Sequence, residues 1–163
     1  MAVVVSKYIE CYVVYEEKSE FNFLLLKRDD KNKVYPGIWQ IITGRIEEGE
    51  EAYKAAYREF TEETGLNAKQ FFVIPRISQF YTYKTDRIHL IPIFLAISDS
   101  RNVIISDEHS EFKWLNREDA IETIYWKSQK ENLELIYSCL TDDKLKKTMI
   151  EIENINISKL KNV

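Results

Sequence analysis

Seven glutamates fall in the run GRIEEGEEAYKAAYREFTEETGL, from Gly44 to Leu66. Three of them, Glu59, Glu62 and Glu63, are spaced i, i+3 and i+4, which on a helix projects their carboxylates from adjoining turns. Like charges so placed repel one another. A solvated acidic face is the bland account of such a helix, yet it leaves two features unexplained. Arg58 stands beside the cluster, within i+4 of Glu62 and i+8 of Glu50, and glycines mark both ends of the segment. A divalent cation accounts for the arrangement more directly, since hard ions such as Mg2+ take carboxylate and backbone carbonyl oxygens and keep room for substrate phosphates. The stretch therefore reads as an active site.

Two elements must position these groups. The apolar run Ile38 to Thr43 predicts a strand feeding a turn at Gly44, where a backbone without a Cβ lets another group approach closely. A helix over about Glu50 to Thr64 follows. Glu50 and Glu51 suit the positive end of its dipole, Ala52, Ala55 and Ala56 are strong helix formers, and Gly65 is a natural stop. Ala52, Ala56 and Phe60 recur every four residues and make a narrow apolar stripe that would lie against a sheet.

Gly44, Glu50, Arg58, Glu59, Phe60, Glu62, Glu63, Gly65 and Leu66 together resemble the Nudix box, G-x5-E-x7-R-E-U-x-E-E-x-G-U with U apolar, and fill every fixed slot. Nine matched positions over 23 residues are far more specific than a short glycine motif. The resemblance implies an α/β protein, a Nudix-type α/β/α sandwich with a mixed β-sheet between helices. It also implies metal-dependent hydrolysis of a nucleoside diphosphate linked to another moiety. Carried over by position, Glu59 and Glu63 would be direct metal ligands, with Glu62 as a ligand or water-orienting group. Arg58 and Glu50 would form the ion pair that fixes the loop–helix geometry, and the carbonyl of Thr43 or Gly44 would complete the metal shell. Mg2+ is the expected cofactor, with Mn2+ as a substitute.

The remainder of the chain sets the frame. At 163 residues, 45% hydrophobic and 31% charged, it reads as one domain with enough core to fold alone. A net charge of −4 with no basic stripe argues against a nucleic-acid partner. Cys11 and Cys139 lack metal-type spacing and read as buried or free thiols in a reducing compartment. No run approaches a membrane span and no leader pattern is seen, so a cytoplasmic protein is the simplest inference. Strands are expected over Ala2 to Tyr15, Phe21 to Lys27, Phe71 to Ile74, Ser78 to Lys84 and His89 to Ser98, the last nearly all apolar and hence central. Helices are expected at Arg117 to Thr123 and Trp126 to Leu140. The domain is assigned to residues 1–140, with 141–163 as a C-terminal extension that continues the helix, pairs at a sheet edge or trails as a tail.

Outside the box, the charged loop from Arg28 to Lys33 is either solvated or brings Arg28 to a substrate phosphate. The form GIWQIITGRIEEGE, with Trp39-Gln40 before Thr43-Gly44, is similar to the subgroup of bacterial dATP or dihydroneopterin triphosphate pyrophosphohydrolases, although the commoner family form carries a proline-glycine-glycine run there. On that likeness Trp39, Gln40 and Gly44 join Arg28 as substrate-binding candidates, with Trp39 either stacking on a base or packing in the core. The run EHSEFKW resembles the same subgroup and assigns to Glu108 the further glutamate that reaches the metal from outside the box, with Glu111 as the fallback; Trp126-Lys127-Ser128 is similar as well. His89, His109, Tyr81 and Tyr83 have bland structural readings. The resemblance thus implies a small-molecule partner, a nucleotide or pterin triphosphate cleaved to the monophosphate and pyrophosphate, and allows a homodimer. The alternatives are a diphosphate-linked substrate such as ADP-ribose or a dinucleoside polyphosphate, and a Nudix-fold module that binds nucleotide without hydrolysing it.

Overall fold

A computed structural model describes residues 1–153 and 155. The chain runs β1 (Val3–Val5), β2 (Tyr8–Glu17), β3 (Glu20–Arg28), β4 (Trp39–Gln40), β5 (Ile42–Arg45) and α1 (Ala52–Thr64). It continues through β6 (Ala68–Thr82), β7 (Arg87–Ser98), β8 (His109–Leu115), α2 (Arg117–Thr123), α3 (Lys127–Thr141), α4 (Asp143–Lys146) and β9 (Ile150–Glu151). One mixed sheet is ordered β4-β3-β2-β7-β6-β9, with β1 on β7, β5 on β2 and β8 on β3. β2 and β7 pair in parallel at its centre, Glu10 opposite Ile93 through Val14 opposite Ile97.

Alternation along β2 sorts its side chains to two cores. Ile9, Cys11 and Val13 face Ala55, Ala56 and Phe60 of α1. Tyr12 and Val14 face Leu133, Ile136 and Cys139 of α3. The expected α/β/α sandwich with a mixed sheet is therefore the observed fold, and His89 to Ser98 does lie in the central, doubly covered strand. Both cysteines are free and buried. Among the described residues no helix is long and apolar enough to cross a membrane.

Several boundaries differ from the expected ones. The run from Ala2 to Tyr15 divides into β1 and β2 at Ser6 and Lys7, where the Lys7 carbonyl accepts from Ile46 N–H. Ile38 to Thr43 divides too: β4 pairs with β3 and β5 with β2, while Ile41 N–H donates at 3.4 Å to the Gln129 side chain. The two strands expected at Phe71 to Ile74 and Ser78 to Lys84 are one strand, β6, whose register shifts between Val73 and Ile77. Pro75 sits in that irregularity, where a missing N–H breaks no ladder bond. The helix after the box loop starts at Ala52 rather than Glu50, because Glu50 is held in the loop. Past Thr141 the chain makes α4 and then β9, which pairs antiparallel with β6. Residues 154 and 156–163 of the expected extension lie outside the described ones.

Candidate active site

Arg58 is the hub of the loop and helix. Its Nε and Nη2 donate to the two carboxylate oxygens of Glu50 at 2.9 and 3.0 Å, and Nη2 also donates to the Arg45 carbonyl at 2.9 Å. Nη1 reaches Glu59 at 2.9 Å and Glu62 at 3.3 Å. A planar fork that satisfies a carboxylate in bidentate fashion fixes orientation as well as distance. Glu50 in turn accepts from Glu47 N–H at 3.0 Å, which closes the loop. The Arg58 hydrogen bonds hold the Glu50 carboxyl below its ordinary value of 4.5.

The close approach expected at Gly44 is that of Glu59. A Cβ on Gly44 would stand 2.6 Å from Glu59 Oε1 and nearer still to Cγ. Glu59 is half-buried, and burial raises its proton affinity against the pull of Arg58. Glu63, one turn on, is 5% exposed. Burial first, then the charges of Glu59 and Glu108, raise its pKa well above the carboxylate range. Glu63 Oε2 is sealed from solvent with no hydrogen-bond partner. His109 Nε2 lies 3.8 Å from it, too far for a hydrogen bond. Burial, aided by Arg28, lowers the His109 pKa to about 4, so the ring is neutral at pH 7 and supplies no counter-charge.

A buried, orphaned carboxylate oxygen beside two further carboxylates is a donor set that fits a hard divalent cation. Among the described residues, however, no three or more His, Cys, Asp or Glu side chains are placed so that together they could hold a metal ion.

Glu59 and Glu108 open onto a cleft of about 850 Å³. Arg28, Gln40, Thr43, Gly44, Glu59 and Glu108 line it. Arg28 follows a register shift between Lys27 and Arg28 where β3 meets β8, and its Nε donates to the Val34 carbonyl at 3.2 Å. Glu62 is exposed on the outer side of Arg58. Trp39 is outside the lining; it packs against the α3-side core, with Lys113 Nζ 4.6 Å over its ring. Glu111 is engaged with Lys27 at 2.6 Å, also outside the lining. Tyr81 and Tyr83 are exposed, and His89 is stacked on Phe80 at 4.5 Å.

The cleft has walls that sequence reasoning left out. Tyr35 stands in the left-handed region, φ 49°, with its ring 4.7 Å edge-on to Trp126. Both line the cleft, and a non-glycine residue at positive φ stores strain of the kind found at ligand clamps. Tyr8, Glu10, Ser78, Phe80 and Gln129 line it too. The available signal was a lone glutamate, Glu10, within the apolar run YIECYVVY.

Residues 9–136 match the NUDIX domain. The nucleoside triphosphatase NudI of Salmonella typhimurium is 30% identical over 105 residues, 60% of this chain and 74% of that one. The fold is similar to that of a Caenorhabditis elegans Ap4A hydrolase, with a TM-score of 0.67 and 21% identity over 84% of this chain and 98% of that one. It is similar also to the Escherichia coli dihydroneopterin triphosphate pyrophosphohydrolase, with a TM-score of 0.59 and 24% identity over 80% of this chain and 95% of that one.

Proposed function

The chain belongs to the NUDIX domain family, and on that premise we propose a Mg2+-dependent pyrophosphohydrolase that cleaves a (deoxy)nucleoside triphosphate, or dihydroneopterin triphosphate, to the monophosphate and pyrophosphate. The observation that carries the reading is that Glu59, Glu108 and Arg28 line one cleft and that the charges of all three act on the buried Glu63. The likeness to the nucleoside triphosphatase NudI supports the substrate class.

Nudix hydrolases generally use a divalent metal such as Mg2+. Glu59, Glu63 and Glu108 would hold the ion, with the Thr43 carbonyl beside them and Glu62 at the outer edge. When bound, it neutralises phosphate charge and lowers the pKa of a coordinated water. The rest falls to the chain itself. Arg28 offers a guanidinium fork to phosphate oxygens. A carboxylate of the cluster, Glu62 or Glu108, takes the proton from the attacking water. Arg58 binds Glu50, Glu59 and Glu62 together, so the loop and helix hold one geometry through turnover. Tyr35 and Trp126, which line the same cleft, offer aromatic faces to the ring system.

Pyrophosphate and phosphate release tests this. The panel is dNTPs, NTPs, dihydroneopterin triphosphate, ADP-ribose and dinucleoside polyphosphates, with Mg2+ and with chelator. The expected result is Mg2+-dependent pyrophosphate release from a triphosphate, abolished in Glu59→Gln. Release of only phosphate-linked products from ADP-ribose or a dinucleoside polyphosphate would overturn the triphosphate assignment, and binding without turnover would leave a nucleotide-binding module.

A further inference from the structure

Glu10 is 5% exposed and sits on β2 directly opposite Thr43 of β5, on the sheet face that also carries Tyr12. A carboxyl group so deep in an apolar strand is expensive unless it is bonded. Its bonds are lopsided. Ser78 Oγ and Asn132 Nδ2 each donate to Oε2 at 3.0 Å, and the Tyr12 hydroxyl lies 3.5 Å from the same atom. Asn132 Nδ2 also donates to Ser78 Oγ at 2.8 Å, so the three groups form a closed triangle. No described residue bonds to Oε1, yet that atom is not among those sealed from solvent without a partner. Glu10 lines the cleft, and with Oε2 committed behind it, Oε1 is the oxygen presented to the cavity.

We propose that Glu10 selects the base: Oε1 accepts an N–H from the exocyclic amino group of a heterocycle, so that amino-bearing rings are preferred to the same rings without the amine. This rests on the cleft being the substrate site, with the ring system seated against Glu10. A buried acceptor of this kind discriminates strongly, because a ring lacking the donor leaves the oxygen desolvated and unpaired. Three strands and a helix fix the atom: β2 carries Glu10, β6 carries Ser78, α3 carries Asn132, and β5 closes the opposite side. A carboxylate on a mobile loop would turn to suit either ring.

The triangle also dictates what Glu10→Gln does. The Asn132 amide donates toward Oε2, so the glutamine must turn its carbonyl that way and put its NH2 into the cleft. The acceptor becomes a donor, and the preference inverts. Glu10→Leu removes the acceptor altogether, while the Asn132–Ser78 bond stays made.

The test is equilibrium binding of matched nucleoside monophosphates by calorimetry, without metal. The pairs are AMP against purine ribonucleoside monophosphate, and GMP against IMP. Each differs by one amino group, and the ratio within a pair does not depend on the fraction of protein that is folded. The wild type should favour the amino member of at least one pair by about tenfold or more. That ratio should fall to near one in Glu10→Leu and reverse in Glu10→Gln. Equal binding within both pairs, preference for the ring without the amine, or an unchanged ratio in the variants would overturn the proposal. Binding needs no turnover, so an enzyme inactive on every triphosphate would defeat the hydrolase reading and leave this one standing or falling on its own ratios.

Discussion

Gly44 and Glu59 are 15 residues apart, about 50 Å of fully extended chain, yet the fold leaves no room for a single methyl group between them. Gly44→Ala therefore acts on the carboxylate, which must swing away from both Arg58 and the cleft. The backbone at Gly44 has no positive φ to lose, so the damage should be local. We expect kcat to fall by about 100-fold, the scale of a misplaced catalytic group, with little loss of thermal stability; a variant that keeps full activity would show that Glu59 is free to work elsewhere. The neighbouring pair makes a prediction about pH. Glu50 has a folded-state pKa below 4.5 because Arg58 binds its ionised form. The unfolded chain thus binds the proton more readily, and the stabilisation is fully present above about pH 4.5 and lost as pH falls through the folded value. Glu50→Gln should cost about 1–3 kcal/mol at neutral pH. In urea titrations the gap from wild type should stay flat from pH 8 to 5 and close below that, whereas a gap constant down to pH 3 would place the loss outside the ion pair.

Among the elements, the β2–β3 hairpin carries a conformational cost that can be relieved. Glu17 pairs with Glu20, so Lys18 and Ser19 form a two-residue turn, and both have positive φ, 51° and 65°. That is the type I′ geometry that matches strand twist and favours glycine or asparagine. Ser19→Gly should stabilise the protein by about 1 kcal/mol, read as a rise in Tm of about 2–4 °C, with activity unchanged because the turn is remote from the cleft lining. A lower Tm would mean that backbone entropy outweighs the relieved strain. The hairpin itself was legible, since two apolar runs flank a polar break, but the turn type was not, because neither residue advertises it. The same division holds elsewhere. α1, α2, α3 and β7 follow from helical spacing and an unbroken apolar run, which local sequence encodes. The split of Ile38 to Thr43 into β4 and β5 does not, because it depends on which strand lies alongside. The gap left between the strands expected at Phe71 to Ile74 and Ser78 to Lys84 holds Pro75, and only pairing with β7 shows it to be an irregularity inside β6. At the site, the box glutamates and Arg58 are adjacent in sequence and so were visible, whereas Glu10, Ser78 and Asn132 meet only through the sheet.

For the molecule as a whole, the site is a cluster of negative charge built into a fold that must bury part of it. Glu63 is 5% exposed, with one oxygen unpartnered and Glu59 and Glu108 nearby. Its folded-state pKa lies above its unfolded value, so the folded protein binds the proton more readily and this group subtracts stability as pH rises through the folded value. A divalent cation would remove that cost by replacing the missing counter-charge, and binding to the folded state alone stabilises by about 2.7 kcal/mol at a hundred times Kd. Two opposite effects of one substitution follow. In EDTA at pH 8, Glu63→Gln should melt higher than wild type, by an amount equivalent to about 1–3 kcal/mol, because a neutral amide bears neither the cost of burying a charge nor that of holding a proton at a pH where the unfolded chain has released it. In Mg2+ the wild type should gain stability with rising ion concentration, while the variant gains much less and loses pyrophosphate release. Melting curves of both proteins across a Mg2+ titration decide it. Equal Mg2+ shifts in the two would remove Glu63 from the metal's shell, and a variant that melts lower without metal would mean that the buried carboxylate has a structural partner. The expected crossing, in which the variant is more stable without the ion and the wild type with it, would show a fold that gives up stability to keep a binding site charged.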